Sequence, residues 1–303
     1  MTEKSITEQT WDKTSEKRKL DGGHKGWLDH PYIIENTLQK KTSGDIHKNW
    51  LIGICDKLSI PKNLQWLSLG CGSGGQEIYG ATQGIFSFMK AIDFSSNSLN
   101  IAKTDADNKG ITCIEFEKQD LNTIELSEEK YDIVLMNMSL HHIKELPRLL
   151  EEIKKTLRPN GKFIIHEFVG ARQFQFSDEQ LRIVNVLLKL LPEKYRIDST
   201  TGTLKTEYNR RSIDWWNHAD PSEAICSDII EQEVEKRFNF VDRVDYGGGI
   251  LMLLLEHIVH NFNEEIYEDK EWLRILTEIE ILFQKSNIIK NDFTILTVSK
   301  TEQ

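Results

Sequence analysis

The sequence predicts an α/β fold: a seven-stranded, mostly parallel sheet with helices on both faces, carrying a helical cap formed by insertions around strand six. Three observations predict it. Between residues 65 and 168, five short apolar segments alternate with helix-patterned ones, the arrangement of parallel strands joined by crossover helices. The first of these segments runs directly into Gly70-Cys71-Gly72-Ser73-Gly74-Gly75, a strand-to-helix turn. Beyond Phe168 the rhythm breaks, and long stretches without strand pattern surround two further strands.

Taken in order, the first 25 or so residues are polar and are expected to be loosely packed. Residues 31–58 carry a helical pattern that Pro61 stops. Strands follow at 65–69, at 86–92 ending on Asp93, and at 112–116. The segment 131–137, Tyr-Asp-Ile-Val-Leu-Met-Asn, is a nearly continuous apolar run, as a central strand requires. Leu146, Leu149, Leu150, Ile153 and Leu157 share one helical face. The turn Arg158-Pro159-Asn160-Gly161 then enters a fifth strand at 162–168. Leu181, Val184, Leu187, Leu188 and Leu191 mark a helix within an otherwise irregular 171–237. Residues 240–246 and 292–299 read as strands, and 250–262 and 271–283 as helices. This divides the Rossmann-like chain into a helical 1–60, a sheet core 61–170, a helical insertion 171–240 over the substrate side, and a sheet-completing 241–303.

Composition narrows the function classes. The 303 residues are 39% hydrophobic and 28% charged, with 18 Gly and 6 Pro, which excludes low-complexity and collagen-like chains. The longest apolar run, 250–255, is too short for a membrane span. Met1 to Thr10 holds no signal-peptide core, so a cytoplasmic protein without membrane partners is expected. Cys55, Cys71, Cys113 and Cys226 show no metal spacing and read as reduced thiols. The net charge of -10 comes without a basic stripe beyond Lys17-Arg18-Lys19 and Arg210-Arg211, against bulk nucleic acid as a partner. Oligomeric state is not specified.

The glycine loop carries the strongest functional signal. Glycines let the chain turn sharply and let a ligand touch bare backbone. Asp93, 23 residues after Gly70, can accept hydrogen bonds from ribose hydroxyls, or cap the helix that starts near Ser95. Asp120, after the third strand, has no role in a dinucleotide fingerprint, but an adenine-reading pocket can use it on the exocyclic amine. Asn137 ends the fourth strand.

At these residues the sequence resembles the class I S-adenosylmethionine-dependent methyltransferases. Gly70 to Gly74 is similar to their glycine motif, Asp93 to their ribose acid and Gln119-Asp120-Leu121 to their adenine-side motif. Met138-Ser139-Leu140-His141-His142-Ile143 and Leu157-Arg158-Pro159-Asn160-Gly161 resemble segments of the type 11/12 small-molecule subgroup. The likeness covers about 62–170. It continues through His166-Glu167-Phe168-Val169-Gly170, the segments 174–181 and 191–193, and Asp220-Pro221-Ser222-Glu223-Ala224, which resemble a bacterial subgroup found with surface-glycan biosynthesis. The resemblance implies S-adenosyl-L-methionine as cofactor, S-adenosylhomocysteine as product, no metal, and a cofactor site of Gly70, Cys71, Gly72, Gly74, Gln76, Asp93, Phe94, Asp120, Leu121, Asn137 and Met138. One position departs. The family usually places an acid two residues before the first glycine, to organise the loop and the cofactor's ammonium, and Ser68 stands there. Either another group takes that role or cofactor binding is weaker.

Methyl transfer from a sulfonium needs the acceptor held in line in a dry site, and a hydroxyl acceptor also needs a general base. The candidates at the sheet's carboxyl edge are His142, Glu167 and His141, with His166 and Glu167 sent to opposite faces by strand alternation. His257 and His260, read as sharing one helical face, lack a third metal ligand. The expected activity is methylation of a hydroxyl or amine of a small molecule, such as a sugar or another biosynthetic intermediate. The alternatives are a non-catalytic cofactor-binding protein and a nicotinamide-dependent oxidoreductase.

Overall fold

The computed structural model describes residues 26–300; the polar start, including Lys17-Arg18-Lys19, lies outside the described residues. Seven strands form one sheet in the order β3-β2-β1-β4-β5-β7-β6. They are β1 (Gln65–Leu69), β2 (Phe88–Asp93), β3 (Ile114–Lys118), β4 (Tyr131–Asn137), β5 (Leu157–Phe168), β6 (Phe238–Gly247) and β7 (Phe293–Lys300). β1 to β5 pair in parallel, while β7 runs antiparallel to both of its neighbours, β5 and β6. Strand order reverses between β1 and β4, so the crevice outside their carboxyl ends is where a ligand of an open α/β sheet binds.

The helices are α1 (Pro31–Ile34), α2 (Lys40–Ser43), α3 (Trp50–Lys57), α4 (Gly75–Thr82), α5 (Ser96–Asn108), α6 (Leu146–Thr156), α7 (Asp178–Leu190), α8 (Ile213–Ala219), α9 (Ile230–Glu235), α10 (Leu251–Leu255) and α11 (Tyr267–Lys285). Strand alternation divides the sheet's side chains between two cores. Trp66, Ile133, Leu135 and Ile164 face a large cluster built with α3, α7, α10 and α11. Leu67, Leu69, Val134, Met136 and Ile165 face a second cluster with α6 and α9. The α6 stripe shows why these elements form where they do. Leu146, Leu149, Leu150 and Ile153 are buried, Pro147 occupies the first turn, and Lys154 and Lys155 lie in the last turn against the negative end of the helix. Cutting any of these buried leucines back to alanine removes about 2–5 kcal/mol.

Several sequence expectations are displaced. The helix expected over 31–58 is interrupted: a π-helical turn, Glu35–Gln39, joins α1 to α2, and Gly44 at φ 77° stops the run. The chain restarts at α3, where Asn49 Oδ1 accepts the Leu51 N–H at 2.9 Å. The third strand begins at Ile114 rather than 112, because Ile111 N still donates to Ala106 O to close α5. Pairing of β5 starts earlier than expected, at Leu157 against Tyr131, with a register shift where Asn160 turns at φ 65°. The helix expected over 250–262 is only α10 followed by the 3₁₀ turn Val259–Asn261. His257 sits between them at φ 60°, so His257 and His260 do not share a helical face. No helix among the described residues is long and apolar enough to cross a membrane.

Candidate active site

A cavity of about 650 Å³ opens at the carboxyl ends of β1, β2 and β4. Its floor is the loop from Gly70 to Gly75. Gly70, Gly72 and Gly74 all have positive φ, at 75°, 53° and 73°. At Gly70 a Cβ would stand 2.4 Å from Ser139 Cβ, so only glycine lets the β1 exit pass under the β4 exit. At Gly72 nothing lies within 4 Å of the missing Cβ, which leaves bare backbone facing the cavity. Gly70 N and Cys71 N both donate to Ile92 O, tying the loop to the end of β2. Cys71 and Gln76 also line the cavity.

Three carboxylates lie on the wall, two at the ends of neighbouring strands and one on a helix. Asp120 follows β3, and its Oδ1 accepts Asn122 N at 2.8 Å. Asp93 ends β2, with Oδ2 accepting Gly72 N at 2.7 Å and Oδ1 accepting Ser95 N at 2.8 Å. The ligand and capping roles open to Asp93 in the sequence are therefore compatible: it holds the loop and the start of α5 together while lining the cavity. The third carboxylate, Glu77, comes from α4. Its Oε1 accepts the Ser68 hydroxyl at 2.6 Å, both residues are buried, and burial pushes the Glu77 carboxyl up to about 7 against the effect of the Ser68 hydrogen bond.

Phe94 and Leu121 line the same end as Asp93 and Asp120, and Asn137 and Met138 line the end nearer β4. Met138 takes φ 53° and donates its N–H to His166 O at 2.7 Å, so the β4 exit is held in an uncommon backbone state. Asn137 Oδ1 accepts from His166 Nδ1 at 2.7 Å, which leaves His166 Nε2 to accept the Tyr246 hydroxyl at 2.6 Å. Burial pushes His166 down to about 4, keeping it neutral, and it faces Trp50 and Tyr246 away from the cavity.

The expected catalytic residues separate. His142 lines the cavity; its Nδ1 donates to Ser222 O at 3.1 Å, so the lone pair is on Nε2. Burial, and next the charge of His141, hold His142 below its ordinary value. Glu167 and His141 do not line the cavity. The Glu167 carboxylate is fully buried and accepts Leu140 N at 2.6 Å, Phe168 N at 2.6 Å and the His141 ring. With its oxygens so occupied, Glu167 cannot serve as a base at the acceptor and instead fixes the turn after β4. Burial disfavours charge on both members of the pair, yet their mutual attraction wins, raising His141 and lowering Glu167. On its other side His141 Nε2 lies 3.4 Å from Glu223 Oε1, and His142 Nε2 lies 4.0 Å from Glu223 Oε2.

Of the 171–240 insertion, Pro221, Ser222 and Ile225 reach the cavity. Phe174 packs among Phe168, Phe176 and Trp216, with ring centroids 5.0, 5.8 and 5.0 Å away, so these aromatics build core rather than ligand wall. Gly247 and Gly248 pack against Glu280 and Phe293, a tight turn rather than a substrate approach. Sequence reasoning missed Glu77 and Glu223 as site residues. Glu77 was findable as the acid in the first turn of the helix after the loop, on the side of β1 that Ser68 faces.

The chain resembles known proteins over its core. A model of the methyltransferase domain family matches residues 60–277. A phosphoethanolamine N-methyltransferase of Triticum aestivum is 32% identical over 114 residues, 37% of this chain and 22% of that protein. A sterol 4-C-methyltransferase of Caenorhabditis elegans is 25% identical over 129 residues, 42% of this chain and 38% of that protein. The chain thus spans well under half the length of these two relatives. A demethylmenaquinone methyltransferase of Oceanobacillus iheyensis is 24% identical over 72% of this chain and 90% of its own. Among solved structures, the [4+2]-cyclase SpnF superposes with a TM-score of 0.54 at 14% identity, over 97% of this chain and 96% of that one, a likeness of fold. With well over half of its length matched, the chain belongs to the methyltransferase domain family, whose cofactor is S-adenosyl-L-methionine.

Proposed function

We propose that the chain methylates a hydroxyl or amine of a small molecule, a sugar or a comparable biosynthetic intermediate, and releases S-adenosylhomocysteine. The observation that carries this reading is a single cavity whose floor is side-chain-free backbone at Gly72 and whose wall presents Asp120, Asp93 and His142 in turn. Asp120 suits the exocyclic amine of adenine, with Phe94 and Leu121 flanking the ring. Asp93 suits the ribose hydroxyls. Gly70, Cys71, Gly72 and Gln76 line the middle of the ligand, and Asn137 and Met138 its amino-acid end, whereas Gly74, expected there, packs against Ala102 and Phe116 and shapes the loop from behind. The bound cofactor supplies an electrophilic methyl group. The protein's part is to align the acceptor, exclude water and receive a proton. His142, with Nδ1 donating to Ser222 O, offers Nε2 to a hydroxyl proton. The Glu167–His141 pair, with Glu223 at His141 Nε2, backs that imidazole through the His141 ring, whose centroid lies 4.1 Å from that of His142. The net charge of -10 supports a small acceptor rather than bulk nucleic acid.

Calorimetric titration with S-adenosylhomocysteine and with NAD, followed by methyl-transfer assays on sugar, phenol and amine acceptors, tests the reading. Binding of the first nucleoside and not the second is expected, with turnover on at least one acceptor class. Binding of NAD alone would overturn it, and tight cofactor binding without turnover on any acceptor would favour a non-catalytic cofactor-binding protein.

A further inference from the structure

We propose that Glu77 is the acceptor for the ammonium group of the bound cofactor, supplying from helix α4 the negative charge that the strand position occupied by Ser68 does not carry. This rests on the cofactor reading of the cavity given above.

Three observations lead to it. The first is burial without a counter-charge. Glu77 is 2% exposed, and its carboxylate is served by the Ser68 hydroxyl and its own backbone N–H. Among the described residues the groups that act on its charge are Ser68, its own backbone and Asp93, and no basic side chain is one of them. A buried carboxylate without a cation is costly. The second is position. Glu77 is on the wall of the cavity, and Lys144 is the one lysine or arginine that shares that wall, so the cavity itself provides little to neutralise it. The third is order. The wall acids follow the sheet: Asp120 after β3, Asp93 on β2, and Glu77 against Ser68 on β1. An adenosyl amino acid presents polar groups in that same succession along its length: exocyclic amine, ribose diol, ammonium. Asp120 and Asp93 match the first two, and the third falls beside β1. Because burial holds the Glu77 carboxyl up near about 7, an arriving ammonium would stabilise the ionised form and form a charge-assisted hydrogen bond. Ser68 is then the residue whose hydroxyl fixes Oε1.

Glu77→Gln tests this, because the amide has the same shape and can still accept from Ser68. The probes are S-adenosylhomocysteine, which carries the ammonium, and 5′-methylthioadenosine, which keeps the nucleoside and sulfur but has no amino-acid arm. Calorimetry on the full chain should show the variant binding S-adenosylhomocysteine about tenfold or more weakly, the equivalent of about 1.4 kcal/mol, with 5′-methylthioadenosine affinity changed by less than about twofold. Glu77→Asp should recover part of the loss. Equal loss for both probes would assign Glu77 a purely structural role and overturn the inference, as would unchanged binding of both. The parent reading fails separately: if the unsubstituted chain binds no S-adenosylhomocysteine, the cofactor site itself is misplaced and this inference falls with it. If the unsubstituted chain binds normally and the variant matches it, only the inference falls.

Discussion

Replacing Asp93 by alanine is expected to remove most of the affinity for S-adenosylhomocysteine and a smaller part of the stability. One carboxylate oxygen accepts Gly72 N at 2.7 Å and the other Ser95 N at 2.8 Å. A carboxylate oxygen can accept more than one hydrogen bond, and Asp93 lines the cavity. A hydrogen bond to a charged group contributes about 1.5–3 kcal/mol net, so two ribose hydroxyls account for about 3–6 kcal/mol. Even the lower figure weakens binding by a factor of about 100. The folded protein loses a charged acceptor at two backbone N–H groups, but Gly72 faces the cavity and its N–H can turn to water. That limits the stability loss to about 1–2 kcal/mol, and the melting temperature should fall by only a few degrees, about 2–4 °C per kcal/mol for a chain of this size or slightly less. Isothermal calorimetry on Asp93→Ala and Asp93→Asn, with thermal melts alongside, measures both quantities. A folded Asp93→Ala protein that binds S-adenosylhomocysteine within about threefold of the parent would refute the reasoning, because no arrangement of the ribose against Asp93 is compatible with so small a loss.

Further outcomes concern His142, the Glu167–His141 pair and Gly70. His142→Ala should lower turnover on a hydroxyl acceptor by about 100- to 10,000-fold while leaving S-adenosylhomocysteine affinity nearly unchanged. Because burial and the neighbouring His141 charge lower the His142 pKa, the acid limb of the parent's rate profile should fall below pH 6.5, with a plateau through neutrality; a limb above pH 7 counts against His142 as the base. Glu167→Gln should destabilise the fold by about 3–5 kcal/mol, since it strips a buried charge of its partner, and chemical denaturation measures this. The same experiment in the parent has a defined pH signature. His141, raised to about 10, contributes stability that is full below its unfolded value of 6.5 and lost as pH climbs through about 10, while the depressed Glu167 contributes above its unfolded value of 4.5 and loses it on acidification. The pair therefore supports the fold best between those two unfolded values, and a parent stability that rises from pH 7 to 9 would contradict it. Gly70→Ala should abolish cofactor binding, detectable by calorimetry, and lower the melting temperature, because its Cβ would meet Ser139 at 2.4 Å on a backbone at φ 75°.

Much of this architecture was legible because its signals are local. β1 and β4 match their predicted limits, since each is an apolar run bounded by turn residues, and the glycine loop and Asp93 sit where strand ends place them. The errors arise where a tertiary contact decides. Gly44 ends a helix whose periodicity continues past it, and Asn49 restarts it. The run 250–255 reads as the start of a longer helix, but the Glu280 carboxylate gathers Gly248, Ile250 and Leu251 N–H groups from across the fold, and the chain turns at His257. In the site, strand alternation separated His166 from Glu167, yet it could not say that four donors would enclose Glu167. Glu223 is remote from His141 and His142 in sequence, and nothing in the local pattern of 220–224 reveals that it meets them.

The position of β7 has a consequence for how the molecule is made. Among the described residues it is the last strand in chain order, yet it lies inside the sheet, between β5 and β6. During synthesis the nascent polypeptide must leave the β5 edge unsatisfied, and β6 without its one neighbour, until residues 293–300 emerge from the ribosome. An exposed strand edge recruits other chains. Stalling translation before these residues should therefore leave an aggregating product.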